Sequence, residues 1–189
     1  MSDLSILDSS VLRYAALLID MQPYYLGFYG REAQEGLFSA QRKVIQLCAQ
    51  ESIPVVVLEV KTGGFGKGKT VACLQREIDL VPLHLVLTKS TNDGFCNASL
   101  DEQLQLWNTT DLLAMGINAS ACVKDTCLTG LAKGYRIHTA RDCIADPFVC
   151  ATSFDWYELN STLYQNSSQL IECAKKSLEH PTLESRVEQ

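Results

Sequence analysis

The sequence predicts an α/β fold, a three-layer doubly wound sandwich built on a mostly parallel, roughly six-stranded sheet. Two observations lead to this prediction. Short apolar runs of strand length alternate along the chain with longer stretches in which apolar residues recur at helical spacing. Several of these runs also end in a charged residue, as Tyr14–Ile19 ends in Asp20. A continuous apolar run such as Tyr14–Ile19 is typical of a strand buried in a parallel sheet, and ligands of such sheets bind beyond the carboxyl ends of the strands, where Asp20 lies.

The strands are assigned from apolar and β-branched runs. Tyr14–Ile19 is a continuous apolar run, and Ile53–Val60 is rich in β-branched residues. Further strands are predicted at Leu83–Thr88, Asp111–Met115, Tyr135–Ala140 and, as a short edge strand, Leu170–Cys173. Helices are predicted between the strands, at Glu32–Glu51, Asn97–Trp107, Cys122–Lys133 and Phe154–Gln165.

Length and charge restrict the class of protein. The chain has 189 residues, and we expect a single domain over 1–189 with a loose polar tail at 181–189. The net charge of −6 argues against nucleic acid as a partner. No apolar stretch approaches the roughly 20 residues of a membrane span, and we expect no secretory signal. The eight cysteines include no C-x-x-C pair, so we expect a cytoplasmic protein with reduced thiols.

Three predicted strand ends combine an acid, a cation and a thiol. Asp20 follows the first strand, Lys89 follows the third, and Cys122 lies after the fourth, where a helix begins. A helix N-terminus and a nearby ammonium both lower the pKa of a thiol, and a carboxylate within reach can accept its proton. Each residue alone also has an ordinary structural explanation, as a turn residue, a solvated charge or a core thiol. Their joint placement predicts a nucleophilic cysteine with a lowered pKa.

A glycine-rich motif favours a different class of protein. GGFGKGKT, at Gly63–Thr70, follows a strand and matches the pattern G-x-x-x-x-G-K-[ST] of a phosphate-binding loop. That loop needs a helix whose first turn holds Lys69 and Thr70, and an NTPase also needs a later strand that ends in Asp. The strands after this loop lack such an Asp. Nucleotide binding is therefore the weaker alternative to a loop that gates the site or has no role.

Four stretches of the sequence match the motifs of one family in order. LLIDMQPYY matches a strand followed by D-x-Q-x-x-F, and KSTNDGFCNASL matches K-x5-F-x-x-T-x-L with Ala98 in place of Thr. GINASACVKDT matches G-[IV]-x-T-x-x-C-V-x-x-T with Ala119 in place of Thr, and GYRIHTARDCIAD is similar to G-Y-x-V-x-V-x-x-D-A-x-A, with Gly134, Tyr135, Asp142 and Ala145 in place. Over roughly Tyr14–Asp146 the chain thus resembles the isochorismatase-like cysteine hydrolases, which include nicotinamidases and N-carbamoyl-amide hydrolases.

The resemblance implies a role for each residue of the constellation. Cys122 would be the nucleophile, Asp20 the base that activates it, and Lys89 the cation that holds both in register. The family has a cis peptide bond that corresponds to Ile117–Asn118 in this chain. The N–H groups of Asn118 and Cys122 would then form an oxyanion hole.

The same resemblance narrows the reaction. Members that cleave the vinyl ether of isochorismate typically lack the cysteine, whereas members that hydrolyse amide or carbamoyl C–N bonds use it and form a thioester. The nicotinamidase pattern D-x-H…H has no counterpart after the second strand, so we expect no metal and no other cofactor. We therefore expect a metal-independent cysteine hydrolase that acts on a small molecule, with vinyl ether hydrolysis as the alternative. Tyr25 and Phe95 would line the pocket, and the chain would form a homo-oligomer, a dimer or tetramer.

Overall fold

The computed structural model describes residues 13–61, 68–147 and 152–179. The strands are β1 (Tyr14–Ile19), β2 (Val55–Val60), β3 (His84–Lys89), β4 (Asp111–Ile117), β5 (Arg136–Ala140), β6 (Ile144–Ala145) and β7 (Thr162–Tyr164). They form one seven-stranded sheet in the order β3-β2-β1-β4-β5-β7, with β6 beside β4. Every pairing in this sheet is parallel. The predicted α/β sandwich is therefore confirmed.

Helices cover both faces of the sheet. They are α1 (Pro23–Leu26), α2 (Arg31–Glu51), α3 (Ala72–Ile78), α4 (Ala98–Leu106), α5 (Lys124–Ala132), α6 (Asp155–Asn160) and α7 (Ser167–Glu179). Residues of α2, α3 and α7 pack in one hydrophobic cluster, and residues of α4, α5 and α6 pack in a second cluster on the opposite face. Because both faces are covered, β1 and β4 are buried at every position, whereas the edge strand β3 exposes alternate residues. Among the described residues, none of the helices combines the length and hydrophobicity needed to cross a bilayer.

The carboxyl ends of β1 and β4 meet where the strand order reverses, and a glycine permits their close approach. Gly116 pairs with Ile19 and has a φ of +138°, a conformation that residues with side chains rarely adopt. A Cβ at this position would lie 2.2 Å from the carbonyl oxygen of Ile19. Directly after Ile19, Asp20 has a φ of 56°, which turns the chain away from the sheet. The junction therefore depends on the absence of a side chain at residue 116.

A cluster of charged side chains lies at the opposite end of the sheet, where β4 and β5 begin. The buried side chain of Asp111, at the start of β4, accepts hydrogen bonds from Arg136 Nε at 2.8 Å and Arg136 Nη2 at 2.7 Å. His138 Nε2 lies 2.8 Å from the same carboxylate. Although burial raises the pKa of Asp111, the hydrogen bonds from Arg136 and His138 lower it far below its usual range. This cluster ties β4 to β5 at their amino ends.

The C-terminal third of the chain departs from the prediction in two places. The predicted edge strand Leu170–Cys173 is wrong, because these residues lie within α7. The last strand is instead β7, which falls inside the predicted helix Phe154–Gln165. A short segment such as Leu-Ile-Glu-Cys is compatible with either structure, and in the fold it continues a helix that begins at Ser167. The Asp142 carboxylate accepts hydrogen bonds from Ser167 N at 2.6 Å and Ser167 Oγ at 2.9 Å, and so anchors the first turn of α7. The tail at 181–189 lies outside the described residues.

We expect Gly116→Ala to lower the free energy of unfolding by more than about 3 kcal/mol, because the added Cβ meets the β1 backbone in a strained conformation. Gly36→Ala is the matched control, since Gly36 lies within α2 and a Cβ there meets nothing within 4 Å. The control should stabilise the protein by about 0.5–1 kcal/mol. Urea denaturation measures both values, and a Gly116→Ala protein as stable as the wild type would contradict the close approach.

We expect Asp111→Asn to lower the free energy of unfolding at pH 7 by about 1–3 kcal/mol, because the ionised carboxylate accepts charged hydrogen bonds. The folded protein holds the pKa of Asp111 below its unfolded value, so this stabilisation is complete above the unfolded pKa and is lost as the pH falls. The difference between the two proteins should therefore shrink between about pH 5 and pH 2 in urea denaturation. A difference that stays constant over this range would mean that Asp111 acts through packing alone.

Candidate active site

Two of the three predicted residues form a buried ion pair at the carboxyl edge of the sheet. Lys89 Nζ lies 2.8 Å from Asp20 Oδ2, and the two side chains are 0% and 2% exposed. In the sheet, β2 separates β1 from β3, a span of about 9–10 Å between outer strands. A long side chain is needed to bridge this distance, and that of Lys89 does so from the end of β3.

The Lys89 ammonium has an acceptor for each of its three protons. Besides the Asp20 carboxylate, it donates to the carbonyl oxygens of Thr91 at 3.0 Å and Asn92 at 3.1 Å. A buried charge is tolerated when it is paired and its hydrogen-bonding capacity is filled, and losing one partner of such a pair costs about 3–5 kcal/mol. The pair therefore fixes the Asp20 carboxylate in place and ties it to the loop after β3.

The third residue, Cys122, contacts this pair through its thiol. It lies in a π-helical turn at Ala119–Val123, between β4 and α5, and its side chain is buried. Its sulfur lies close enough to the Asp20 carboxylate for that charge to raise the pKa of the thiol, and it donates a hydrogen bond to Asn92 Oδ1 at 3.6 Å. The structure therefore brings Asp20, Lys89 and Cys122 together, as their placement in the sequence predicts.

The predicted direction of the Cys122 pKa shift is wrong. Burial, followed by the charge of Asp20 and the hydrogen bond to it, raises the pKa of Cys122 to about 11. Lys89 and the backbone N–H of Asn118 lower this pKa but do not compensate. A helix start and an ammonium lower the pKa of a thiol, but here desolvation and the anion beside the sulfur raise it by more. At neutral pH the resting thiol is therefore protonated.

The turn before Cys122 places a backbone N–H near the sulfur. The Ile117–Asn118 peptide bond is cis, as the family resemblance implies, and the Asn118 N–H lowers the pKa of the Cys122 thiol. The Tyr29 hydroxyl lies 2.6 Å from Asn118 Oδ1 and 3.2 Å from the carbonyl oxygen of Ala145. Tyr29, from the segment after α1, thus positions the Asn118 side chain, and no pattern in the sequence indicated this role.

Two acidic residues fix the loops on either side of the thiol. Asp146 Oδ1 accepts hydrogen bonds from Ser120 N at 2.9 Å and Ser120 Oγ at 2.7 Å, which holds the π-helical turn. Asp93 Oδ2 accepts from Thr129 Oγ1 at 2.8 Å, which joins the loop after β3 to α5. Both carboxylates follow strands in the sequence, as Asp20 does. That placement is the signal by which they could be predicted as site residues.

The predicted pocket residues lie in different surroundings. The Phe95 ring stacks on Tyr135 with 6.0 Å between ring centroids, and Lys133 Nζ lies 5.8 Å from the Phe95 centroid. These contacts belong to the corner between α5 and β5, and none of the described contacts of Phe95 involves the thiol. Tyr25 lies on α1, half-buried, with its ring edge-on to Tyr24 at 5.2 Å. A role for Tyr25 and Phe95 in lining the pocket stays a prediction.

The glycine-rich motif Gly63–Thr70 is described only from Gly68 onward, and Gly63–Lys67 lie outside the described residues. Gln22 holds the described end, because its Nε2 donates to the carbonyl oxygen of Gly68 at 2.6 Å while its Oε1 accepts from Val60 N at 2.9 Å. The Gln22 of the first family motif therefore joins the two ends of the loop to the start of α1.

The described end of this motif does not have the arrangement of a phosphate-binding loop. Such a loop places its Lys and Thr in the first turn of a helix, whereas Lys69 and Thr70 precede α3, which begins at Ala72. Thr70 is buried, and its hydroxyl donates to Glu59 Oε1 at 2.9 Å. A hydroxyl engaged in this way does not face a bound Mg²⁺. The geometry thus weighs against nucleotide binding.

Within the described residues, no group of three or more His, Cys, Asp or Glu side chains could hold a metal ion. The two strand histidines have other partners. His84 Nδ1 lies 2.8 Å from the carbonyl oxygen of Val81, and His138 pairs with Asp111 at the far end of the sheet. Metal independence stays a prediction, because activity is what tests it.

Comparison with known proteins places this fold among hydrolases. The family model of the isochorismatase domain matches residues 14–167. N-carbamoylsarcosine amidase from Thermoplasma acidophilum is 21% identical, with a TM-score of 0.69 over 82% of this chain and 97% of that one. The MAR1 ribonuclease from Caenorhabditis elegans is 18% identical, with a TM-score of 0.70 over 94% of this chain and 95% of that one. Pyrazinamidase/nicotinamidase from Streptococcus mutans is 15% identical, with a TM-score of 0.68 over 79% of this chain and 99% of that one.

These structural likenesses establish the fold and leave the substrate open. The three proteins carry different activities on one architecture, so the choice among substrates has to come from the site. Among curated protein sequences, no significant match to this chain was found.

We expect iodoacetamide at pH 7 to label Cys96 at least about tenfold faster than Cys122, because only thiolates react appreciably. Cys96 is exposed, and although partial burial raises its pKa, hydrogen bonds from Thr91 and Ser90 lower it below the ordinary value. The rates follow from timed labelling, proteolysis and mass spectrometry of each cysteine peptide. Faster labelling of Cys122 would instead support the lowered pKa that the sequence predicted for this thiol.

Proposed function

Because this chain belongs to the isochorismatase family of hydrolases, we propose that it is a cysteine hydrolase that cleaves an amide or carbamoyl C–N bond of a small molecule. One observation carries the proposal. The thiol of Cys122 lies beside the carboxylate of Asp20, whose charge raises the pKa of the thiol, and a buried ion pair with Lys89 holds that carboxylate in place. A nucleophile, its base and the group that orients the base thus stand in contact, as nucleophilic catalysis requires. Vinyl ether hydrolysis needs no thiol, so the same contact favours C–N cleavage.

The first half of the reaction is an acyl transfer to sulfur. Asp20 accepts the S–H proton as the sulfur attacks the substrate carbonyl carbon, so that a free thiolate need not accumulate despite the raised pKa of Cys122. The N–H groups of Asn118 and Cys122 stabilise the oxygen that becomes negative. Asp20 then gives the proton to the leaving nitrogen, the C–N bond breaks, and ammonia or an amine departs from the thioester.

The second half regenerates the thiol. Water attacks the thioester carbonyl carbon while Asp20 accepts its proton, and the C–S bond breaks. The sulfur regains a proton, and the product leaves as a carboxylic or carbamic acid. Through both halves of the reaction, Lys89 remains beside Asp20 and Cys122. It favours negative charge on the sulfur, since it lowers the pKa of Cys122. All of these steps use groups of this chain, which is why we propose that neither metal nor other cofactor takes part.

The oligomeric state and the compartment complete the proposal. We expect a dimer or tetramer in the cytoplasm, and light scattering of the purified protein measures the assembly. Three apolar side chains around the edge strand are substantially exposed, namely Leu80, Leu83 and Val86. A contact between subunits would remove such side chains from water.

The decisive variant is Asp20→Asn, which should change turnover and thiol reactivity in opposite directions. Turnover, found by screening a library of small amides for ammonia release, should fall by about 10²–10⁴-fold because the base is lost. Alkylation of Cys122 at pH 7 should become faster, because removing the neighbouring anion lowers the pKa of Cys122. Cys122→Ser should abolish turnover, and EDTA should leave it unchanged.

Two controls accompany this experiment. Cys173→Ser changes a thiol of α7, remote from the sulfur, and should keep wild-type turnover. Lys69→Ala should leave kcat within a few fold, because no step uses the glycine-rich motif. Circular dichroism shows whether Asp20→Asn keeps its fold. Unchanged turnover in a folded Asp20→Asn protein would refute the role of Asp20 as the base.

A further inference from the structure

The resting thiol has one proton and two acceptors. The Cys122 sulfur donates a hydrogen bond to Asn92 Oδ1 at 3.6 Å, and the Asp20 carboxylate, whose charge raises the pKa of the thiol, lies beside the same sulfur. A single S–H can point to one acceptor at a time. The two acceptors differ in chemistry, because a carboxylate can take the proton, whereas an amide oxygen can only accept a hydrogen bond.

Asn92 is placed by the same loop that holds the catalytic cation. Its backbone carbonyl oxygen accepts a hydrogen bond from Lys89 Nζ at 3.1 Å and lies 3.5 Å from Thr126 Oγ1. Thr126 in turn donates to the carbonyl oxygen of Cys122 at 2.7 Å and accepts from Gly94 N at 2.9 Å. The loop backbone is therefore tied to both Lys89 and the Cys122 turn, and the Asn92 side chain reaches the sulfur from the exposed rim of the site.

The orientation of the amide matches a neutral thiol. An S–H group donates, so the amide oxygen is its complement, whereas a thiolate only accepts and would be repelled by that oxygen. We propose that Asn92 is a further catalytic residue, whose amide oxygen holds the Cys122 thiol in its neutral form at rest. The inference rests on the proposed function. Beside the residues that activate the nucleophile, it adds one residue that restrains it.

The consequence is a nucleophile that is inert until the site is filled. While the S–H points to Asn92, its proton cannot pass to Asp20, and the sulfur stays a poor nucleophile. Transfer to Asp20 requires the S–H to turn away from the amide. The neutral state protects the sulfur from alkylation and oxidation, since both reactions proceed through the thiolate.

The test compares alkylation of Cys122 in two variants of opposite chemistry. Asn92→Leu removes the amide oxygen and should speed alkylation by iodoacetamide at pH 8 by about threefold or more, as expected for the loss of one hydrogen bond to the neutral form. Asn92→Asp places a second anion beside the sulfur and should slow it by a similar factor. Leu is the larger of the two replacements, so a change in access alone would slow alkylation in Asn92→Leu instead of speeding it.

Asn97→Ala is the matched control. Asn97 lies in the same loop, where its Nδ2 donates to the carbonyl oxygen of Thr88 at 2.9 Å and its Oδ1 accepts from Ser99 N, remote from the sulfur. Its loss should leave the pH dependence of Cys122 alkylation between pH 7 and pH 10 unchanged. In the same profile, Asn92→Leu should shift to lower pH and Asn92→Asp to higher pH.

The outcomes separate this inference from the proposed function. Unchanged or slower alkylation in Asn92→Leu, or faster alkylation in Asn92→Asp, would overturn the role of Asn92. If Asp20→Asn still speeds alkylation in that case, the contact between Asp20 and Cys122 stands and the proposed function with it. If Asp20→Asn has no effect while the Asn92 variants behave as expected, the role of Asn92 stands and the proposed base is refuted.

Discussion

The ion pair between Lys89 and Asp20 is the interaction on which the site depends. It is buried, it spans from β3 to β1 across the end of β2, and it brings a carboxylate against the Cys122 sulfur. Two further carbonyl oxygens, from the loop after β3, complete the shell of the ammonium. Because an unpaired charge in this position would be costly, the positions of three strand ends and of that loop are coupled to one another.

The same burial that makes the pair strong makes the thiol inert. Desolvation raises the pKa of Cys122, and the nearby Asp20 carboxylate raises it further. A site that stored a thiolate would need the opposite balance, with the cation dominant and the anion distant. This site instead keeps the proton on sulfur beside the Asp20 carboxylate, and in the proposed mechanism activation therefore depends on proton transfer during attack. Asn92 fits this design, since an amide oxygen beside the sulfur favours the protonated state.

The architecture decides where such a site can form. Parallel strands direct all of their carboxyl ends to one edge, and the order β3-β2-β1-β4-β5-β7 reverses between β1 and β4. Gly116 lets those two ends approach, which brings the Asp20 turn beside the turn that carries Cys122. The opposite end of the sheet has a purely structural cluster around Asp111. The charged residues at the carboxyl ends of the strands thus form the candidate site, whereas those at the amino ends join neighbouring strands.

The sequence by itself determined the sheet and the edge that carries the candidate site, because apolar runs, helical spacing and the placement of Asp20, Lys89 and Cys122 after strands are local features that can be recognised without tertiary contacts. Short segments were ambiguous, and Leu170–Cys173 proved to lie in α7, whose first turn Asp142 holds through Ser167. The sign of the Cys122 pKa shift, and the parts played by Asn92 and Tyr29, were decided by tertiary structure alone. The physical reason is that desolvation and hydrogen bonds between distant segments depend on three-dimensional packing, which a pattern along the chain does not encode.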